Sequence, residues 1–324
     1  MMLVAAIVLV VIALIGAPLF TVIAAGGLLA SHSADISPDI LVIEMNRLAA
    51  SPNMIAIPLF TFAGVLMSSG GAPQRLVYFY RAAVGWMPGG LAMVTIGSCA
   101  FFTSYSGASG VTILALGGLL YPILRGEGYK QQFSLGLLTT SGSLGLLFPP
   151  SLAILVYGIV AGVSIEKMFF AGIVPGTLLM IMLAVYSMFY GTKSHVIKHV
   201  FDIKVLLAAI RGCAWDLFLP IGVVVGIFGG YVSIMEAAAA TAAYVIFVEV
   251  VIYREIDLRK QFFGLLVESC VLFGSLLAIL LVALGLTNLM IDAQLPMKLL
   301  AAIESHITSP LQFLLLLNLF LLLV

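Results

Sequence analysis

"GSLGLLFPPSLAI", residues 142 to 154, is the stretch on which the fold turns. It lies inside a run from Gln131 to Ile165, 35 residues without a charged side chain. A charge-poor segment of about 20 residues already crosses a hydrocarbon core of roughly 30 Å as a helix. Here, however, the centre carries two glycines and two adjacent prolines. Pro149 and Pro150 have no N–H, so the carbonyls four residues earlier, on Gly145 and Leu146, lose their helical partners. Phe148 and Pro149, each preceding a proline, are pushed out of the α region. The helix is therefore expected to break. In lipid a free carbonyl is costly unless it lines a protein-enclosed cavity or holds an ion. The first half ends in carbonyls suited to Na⁺. The second half starts near Ser151 with free N–H groups and the positive end of its dipole, suited to a carboxylate.

The rest of the chain supports a membrane setting. Hydrophobic residues make up 63% and charged residues 9% of the sequence, and the mean hydropathy is +1.23. These values exclude an ordinary soluble domain and define an all-α polytopic membrane protein embedded in a lipid bilayer. Continuous rather than alternating apolar runs argue against a β-barrel. The formal charge of zero says nothing about partners, since the charges are confined to loops; no nucleic-acid partner is expected. Cys99, Cys213 and Cys270 lie in apolar segments without metal-ligand spacing and read as small buried residues. The N-terminus lacks the basic flank of a cleavable signal, so residues 1–30 are expected to stay in the mature protein.

Basic residues cluster at Arg75 and Arg81, at Arg125 and Lys130, at Lys193, Lys198, Lys204 and Arg211, and at Arg254, Arg259 and Lys260. The positive-inside rule places these four loops in the cytoplasm. Residues 31–46 and 164–167 and the Gly229 to Ser233 turn carry little positive charge and should face outward. Residues 82–124 are then a charge-free run with a cytoplasmic loop at each end, interrupted by "SYSGASG" (Ser104 to Gly110). Arms of about 14 residues, roughly 21 Å of helix, fall short of a crossing. A re-entrant hairpin with Ser106 to Gly110 at its tip is expected; two full crossings would preserve the same parity.

The organisation expected is as follows: N-terminal membrane helices and interfacial arm helices over 1–87, the hairpin over 88–124, and the broken transmembrane helix over 131–165. Scaffold helices with a basic cytoplasmic loop at 191–211 fill 166–260, and 261–324 starts a second repeat. Helices are placed at about 168–190, 213–230, 236–253 and 262–286 and from 310 onward. Interfacial helices are placed at 38–50 and 71–87, with Tyr78 and Trp86 at the headgroup level. Gly16-Ala17-Pro18 either kinks one long helix or separates two short ones.

The hairpin tip and the break offer the same chemistry. Ser106, Gly107 and Ser109 with Gly142, Gly145 and Leu146 form the candidate cation set, hydroxyl and carbonyl oxygens being what a hard cation prefers. Thr140, Ser143 and Ser151 are candidates for a substrate carboxylate, and Pro149 and Pro150 enforce the break. No transition-metal site and no cofactor other than Na⁺ as coupling ion is expected. The competing reading is structural: Gly, Ser and Ala runs mediate tight helix packing, and a proline can simply kink a helix.

Residues 57–94, "SGASG" at 106–110, residues 128–176 and "GGYVSIMEAAAATAAY" at 229–244 resemble, in this order, the large membrane subunit of the TRAP transporters, DctM type. The most specific part is Phe148-Pro149-Pro150-Ser151 with Gly172-Ile173-Val174-Pro175-Gly176 after it. The resemblance implies an inverted-repeat secondary transporter: a multi-pass permease in the bacterial inner membrane, not an enzyme. It implies Na⁺-coupled import of organic anions such as dicarboxylates or sialic acid. It also implies two partners, a small four-helix membrane subunit and a periplasmic substrate-binding protein. Its fold would be two inverted repeats, each with a hairpin and a broken helix, matched here by Ser106 to Gly110 and Gly142 to Ser151. Two local departures are Ile234-Met235-Glu236-Ala237, where the family often has Pro-Thr-Glu-Ala, and Val111-Thr112 after the hairpin serines. After Pro310 the chain runs "LQFLLLLNLFLLLV" with no second Pro-Pro segment or serine-glycine tip, so the second repeat is expected to be incomplete, the chain truncated and unable to transport as it stands.

Gly107-Ala108-Ser109-Gly110 also fits the Gly-x-Ser-Gly pattern of an intramembrane serine protease, but that chemistry needs a buried histidine. His32, His195, His199 and His306 all fall in loops or near segment ends. His195 and His199 have the i, i+4 spacing of a zinc pair without a third ligand. A passive channel or scaffold subunit is a third reading. Ser233-x-x-Glu236 reads as a helix capping box rather than an ion ligand. Asn318 and Glu268 are isolated polar residues in apolar surroundings without an identifiable partner.

Overall fold

The computed structural model describes every residue except 1, 34, 35, 194–200, 258, 305, 306, 308 and 324. His195, His199 and His306 fall outside the described residues. The described helices, in chain order, are α1 (Met2–Leu14), α2 (Leu19–Ser33), α3 (Asp39–Ala49), α4 (Ala56–Ser69), α5 (Ala72–Val84), α6 (Gly90–Ser106), α7 (Ser109–Gly126), α8 (Gln131–Leu144), α9 (Leu152–Ala161), α10 (Ile165–Lys193), α11 (Ile203–Phe228), α12 (Ile234–Phe247), α13 (Phe262–Asp292), α14 (Leu295–Glu304) and α15 (Pro310–Leu323). There is no strand among the described residues. Six helical stretches there are long and apolar enough to cross a membrane, and α8 with α9, bent by 45° at their junction, would make a seventh.

The chain divides into two units, residues 51–274 and residues 1–50 with 275–324. In the second of these, α1 and α2 are packed together, separated at Gly16, whose φ of +99° ends the first helix. Helix α15 buries none of its described residues.

Unit 51–274 is built around α6, which is buried along nearly its whole length. Helices α4, α5, α7, α8 and α10 all pack against it. Small residues allow the close crossings. A Cβ on Gly64 of α4 would lie 2.7 Å from the Tyr105 carbonyl, so only glycine lets α4 pass there. Helix α10 runs through Pro175 without a break. Its Gly172 and Gly176, spaced as in small-xxx-small packing, take the Leu147 carbonyl and the Phe148 ring. The Gly-Ile-Val-Pro-Gly block is thus the seat of the broken segment. At the opposite end of α8, Phe133 stacks on Tyr190 of α10 with ring centroids 3.9 Å apart and planes 5° from parallel, and Tyr129 lies parallel beyond. The outer face of α10, with Val174, Leu178, Ile181, Val185 and Phe189, is exposed and apolar, as a lipid-facing surface should be.

Three features differ from the sequence-based expectation. Residues 203–211 are helical rather than part of a loop: Asp202 caps α11 by accepting from the Lys204 N–H at 2.8 Å, and the basic residues ride on the helix. The hairpin arms are longer than 14 residues, at 17 and 18, because α6 extends to Ser106 and α7 continues past Pro122. Cys270 is exposed, while Cys99 and Cys213 are buried; α13 turns an apolar face outward, and an apolar sequence environment does not distinguish protein from lipid neighbours. The Ser233 and Glu236 capping box is present, each side chain accepting from the other's backbone N–H.

Candidate functional site

The site forms where the hairpin meets the break. Helix α6 ends at Gly107, whose φ of +65° is the left-handed conformation that lets the chain reverse, and whose N–H donates back to the Thr103 carbonyl at 2.9 Å. A Cβ there would lie 2.3 Å from the Leu152 side chain. The hairpin tip therefore sits on the first residue of α9. Two further glycines close the contact on the other half of the broken helix. A Cβ on Gly142 would meet Ile113 at 2.5 Å, with the Ser109 carbonyl oxygen 3.5 Å away. One on Gly145 would lie 2.3 Å from the Ala100 carbonyl and 2.5 Å from Thr103 Cβ.

Between α8 and α9 the backbone tightens into a 3₁₀ turn over Gly145–Leu147. The Gly145 carbonyl does lose its α-helical partner at Pro149, but it accepts a 3.1 Å bond from the Phe148 N–H instead. The Phe148 carbonyl accepts from the Ser151 N–H at 3.0 Å. Pro149 and Pro150 are buried within this turn.

The candidate residues separate by environment. Ser106 is buried, its Oγ 3.0 Å from the Thr112 Oγ. Ser109 is half-buried and Gly110 is exposed at the tip. Ser151 is fully buried and its hydroxyl has no partner. Thr140 and Ser143 are instead exposed and donate to their own helix, to Gly136 at 2.8 Å and to Thr139 at 3.4 Å. The structure thus gathers Ser106, Gly107, Gly142, Gly145 and Ser151 at the buried junction and puts Thr140 and Ser143 on a solvent-accessible hydroxyl strip with Thr139. Other buried hydroxyls without a partner include those of Ser98, Thr103 and Tyr105 on α6 and Ser141 on α8. Thr103 and Tyr105 were missed from sequence, although "TSYS" just before the tip contains both. Beside the break, toward α5 and α11, a mostly apolar cavity of about 290 Å³ is lined by Tyr80, Phe148, Pro149 and Pro220 among others.

A second polar cluster lies at the ends of α5 and α12, and sequence reading singled out only its arginine, as a loop charge. Arg75 donates to Asp216 of α11 at 2.7 and 3.2 Å, to Glu249 at 2.9 Å and to Glu255 at 2.6 Å. The Tyr253 ring lies 3.6 Å below the guanidinium. Burial works against the charge on Arg75, but hydrogen bonds to Asp216 and Glu255 and the neighbouring carboxylates hold it more firmly than in free arginine. The signal available in sequence was an acid inside each of two apolar stretches, Asp216 in α11 and Glu249 in the π-helical turn Val248–Ile252 that continues α12.

Apolar helices, a helical hairpin and a broken helix packed tip to break define an all-α polytopic membrane protein. Residues 3–324 match the family described as "Tripartite ATP-independent periplasmic transporter, DctM component". The chain belongs to this family of TRAP transporter large permease subunits, which are not enzymes. It is 33% identical over 310 residues to the isethionate TRAP transporter permease protein DctMQ of Oleidesulfovibrio alaskensis, covering 95% of this chain and 47% of that one. It is 33% identical over 284 residues to the C4-dicarboxylate TRAP transporter large permease protein DctM of Pseudomonas aeruginosa, covering 87% of this chain and 66% of that one. The sialic acid TRAP transporter permease protein SiaT of Haemophilus influenzae is 29% identical over 268 residues, which are 82% of this chain and 43% of that protein. The chain spans about half to two thirds of the length of these relatives.

Proposed function

We propose that this chain is part of the transport subunit of a Na⁺-coupled importer of organic anions in the bacterial inner membrane. It works with a small four-helix membrane subunit and with a periplasmic protein that delivers the substrate. The family description, a tripartite periplasmic transporter, supports the two further components. The names of three relatives, which specify isethionate, C4-dicarboxylates and sialic acid, support an anionic substrate.

The observation that carries the reading is the seating of Gly107 on Leu152 and of Gly142 against the start of α7. It joins the hairpin tip to both halves of the broken helix, so that they respond to ligands as one module. Carbonyl and hydroxyl oxygens of Ser106, Gly107, Ser109, Gly142, Gly145 and Leu146 neutralise no charge but replace the hydration shell of Na⁺. Ser151 and the first N–H groups of α9 face the substrate carboxylate, with Thr140 and Ser143 on the accessible strip beside it. Cation and anion then stabilise the same closed arrangement, which is the coupling alternating access requires.

The test is Pro149→Ala with Pro150→Ala in the full-length permease, assembled with its partners. Healing the helix should abolish Na⁺-gradient-driven uptake while the protein still reaches the membrane; unchanged uptake would sink the assignment. A second measurement separates carrier from channel. Na⁺ at 100 times its dissociation constant should stabilise the folded chain by about 2.7 kcal/mol, read as a rise in thermal midpoint that choline does not produce. Ser106→Ala should remove most of that rise, and a channel with weak, transient sites should show almost none in the parent.

A further inference from the structure

The cluster around Arg75 contains more negative charge than it can hold. One guanidinium faces three carboxyl groups, Asp216 at 2% exposure, Glu249 at 0% and Glu255 at 37%. Ionised together they would leave two negative charges in excess, two of the carboxylates being shut away from water. Hydrogen bonds assign the roles. Asp216 receives two N–H groups of Arg75, and Glu255 receives one from Arg75 and the Gly71 N–H. Glu249 receives one, through Oε1, and its Oε2 is buried without a donor. That oxygen packs against Gly70, where even a Cβ would lie 2.4 Å away. The crevice between Asp216, Tyr244, Val248 and Glu249 is too tight to admit water.

A carboxylate offers only acceptors, and no N–H or O–H reaches Oε2 of Glu249, so a negative charge there would be held by the single Arg75 bond to Oε1. Burial opposes the charge on Glu255, yet hydrogen bonds from Arg75 and Gly71 and the Arg75 charge hold its carboxyl below the ordinary range, so Glu255 stays ionised. The other titratable groups around the cluster are Cys213 on α11, Tyr244 on α12 and Tyr253 beneath Arg75. Tyr244 and Tyr253 donate their hydroxyls to the Trp215 and Gly212 carbonyls, so neither supplies the missing donor.

We infer that Glu249 carries a proton on Oε2, making this cluster a proton-binding site that fastens α5 to α11 and the end of α12. The inference is independent of the transport reading and of the hairpin. Its sign follows from linkage. The folded chain keeps a proton that the unfolded chain gives up above the ordinary carboxylate range, so the stabilisation declines as pH rises. Loss of the proton leaves three negative carboxylates around one guanidinium and loosens the fastening.

Glu249→Gln tests this, since the amide has the shape, neutrality and donor of the protonated acid. In the purified chain at pH 7 its thermal midpoint should stay within about 2 °C of the parent, a shift of under roughly 1 kcal/mol for a chain of this size. From just above the ordinary carboxylate range up to pH 9 the parent midpoint should fall relative to that of the variant. A midpoint well below the parent's at pH 7, or a variant that does not fold, overturns the inference, because an ionised carboxylate is then what Arg75 needs. Parallel pH profiles overturn it as well. In the parent alone, the infrared carbonyl band of a protonated carboxyl should weaken over the same pH range, and a band that does not respond counts against it.

Discussion

Arg75→Ala lowers the unfolding free energy by about 3–5 kcal/mol, the usual loss when one partner of a buried ion pair is removed and the other stays behind. Asp216 and Glu249 have almost no access to solvent, so neither carboxyl can recover its hydration without opening the junction of α5, α11 and α12. Arg75→Lys should restore little of the loss. A single ammonium cannot reproduce a planar fork that reaches Asp216, Glu249 and Glu255 at once while stacking on Tyr253. The pH dependence of the difference is a second check. Glu255 is held below the ordinary carboxylate range in the folded parent, so its pairing stabilises above that range and is lost as pH falls. The gap between parent and Arg75→Ala should therefore narrow on acidification. Denaturant titrations in detergent at neutral and acid pH measure both quantities, and a variant as stable as the parent would show that the carboxyls find water or protons by themselves.

The second large effect is expected at Gly145. Its Cβ direction points at the Ala100 carbonyl, 2.3 Å away, and at the Ser104 nitrogen, 2.8 Å away. Both are backbone atoms of the buried helix α6, which cannot yield as a flexible side chain would. Gly145→Val must push the end of α8 off α6. Overpacking of this kind costs about 1–3 kcal/mol or more, and the displaced segment carries the break with it. We expect loss of both Na⁺-dependent stabilisation and uptake. Gly136, on the same helix, is an internal control: nothing lies within 4 Å of its Cβ direction. Gly136→Ala should cost nothing, and can gain up to about 1 kcal/mol from helix propensity. Equal behaviour of the two variants would mean that the packing of break against hairpin is unimportant.

The break was legible because proline acts locally: a missing N–H and a blocked α conformation do not depend on the rest of the fold. The turn at Gly107 was legible for a similar reason. What local chemistry could not supply was orientation. Thr140 and Ser143 are neighbours of Ser141 in sequence, but helical rotation exposes the first two and buries the third, a division set by where α6 and α7 pack. The Gly145 carbonyl illustrates another limit, since a 3₁₀ bond from Phe148 replaced the α-helical one it lost. The start of α11 was missed because Lys204 and Arg211 looked like loop charges, whereas the cap at Asp202 begins the helix earlier. The Arg75 cluster needed tertiary information altogether, its partners lying 141 to 180 positions away.

The stack of Phe133 on Tyr190 gives the proposed motion a boundary. It clamps the start of α8 to the far end of α10, while Gly172 and Gly176 clamp α10 to the break. Fastened at both ends, α10 travels with the module whenever the break moves. Its outer surface is Val174, Leu178, Ile181, Val185 and Phe189, an apolar face suited to sliding past fluid acyl chains rather than interlocked side chains. On the transport function proposed above, the bilayer would serve as the bearing, and the viscosity and thickness of the membrane would set the rate of turnover alongside the ion gradient.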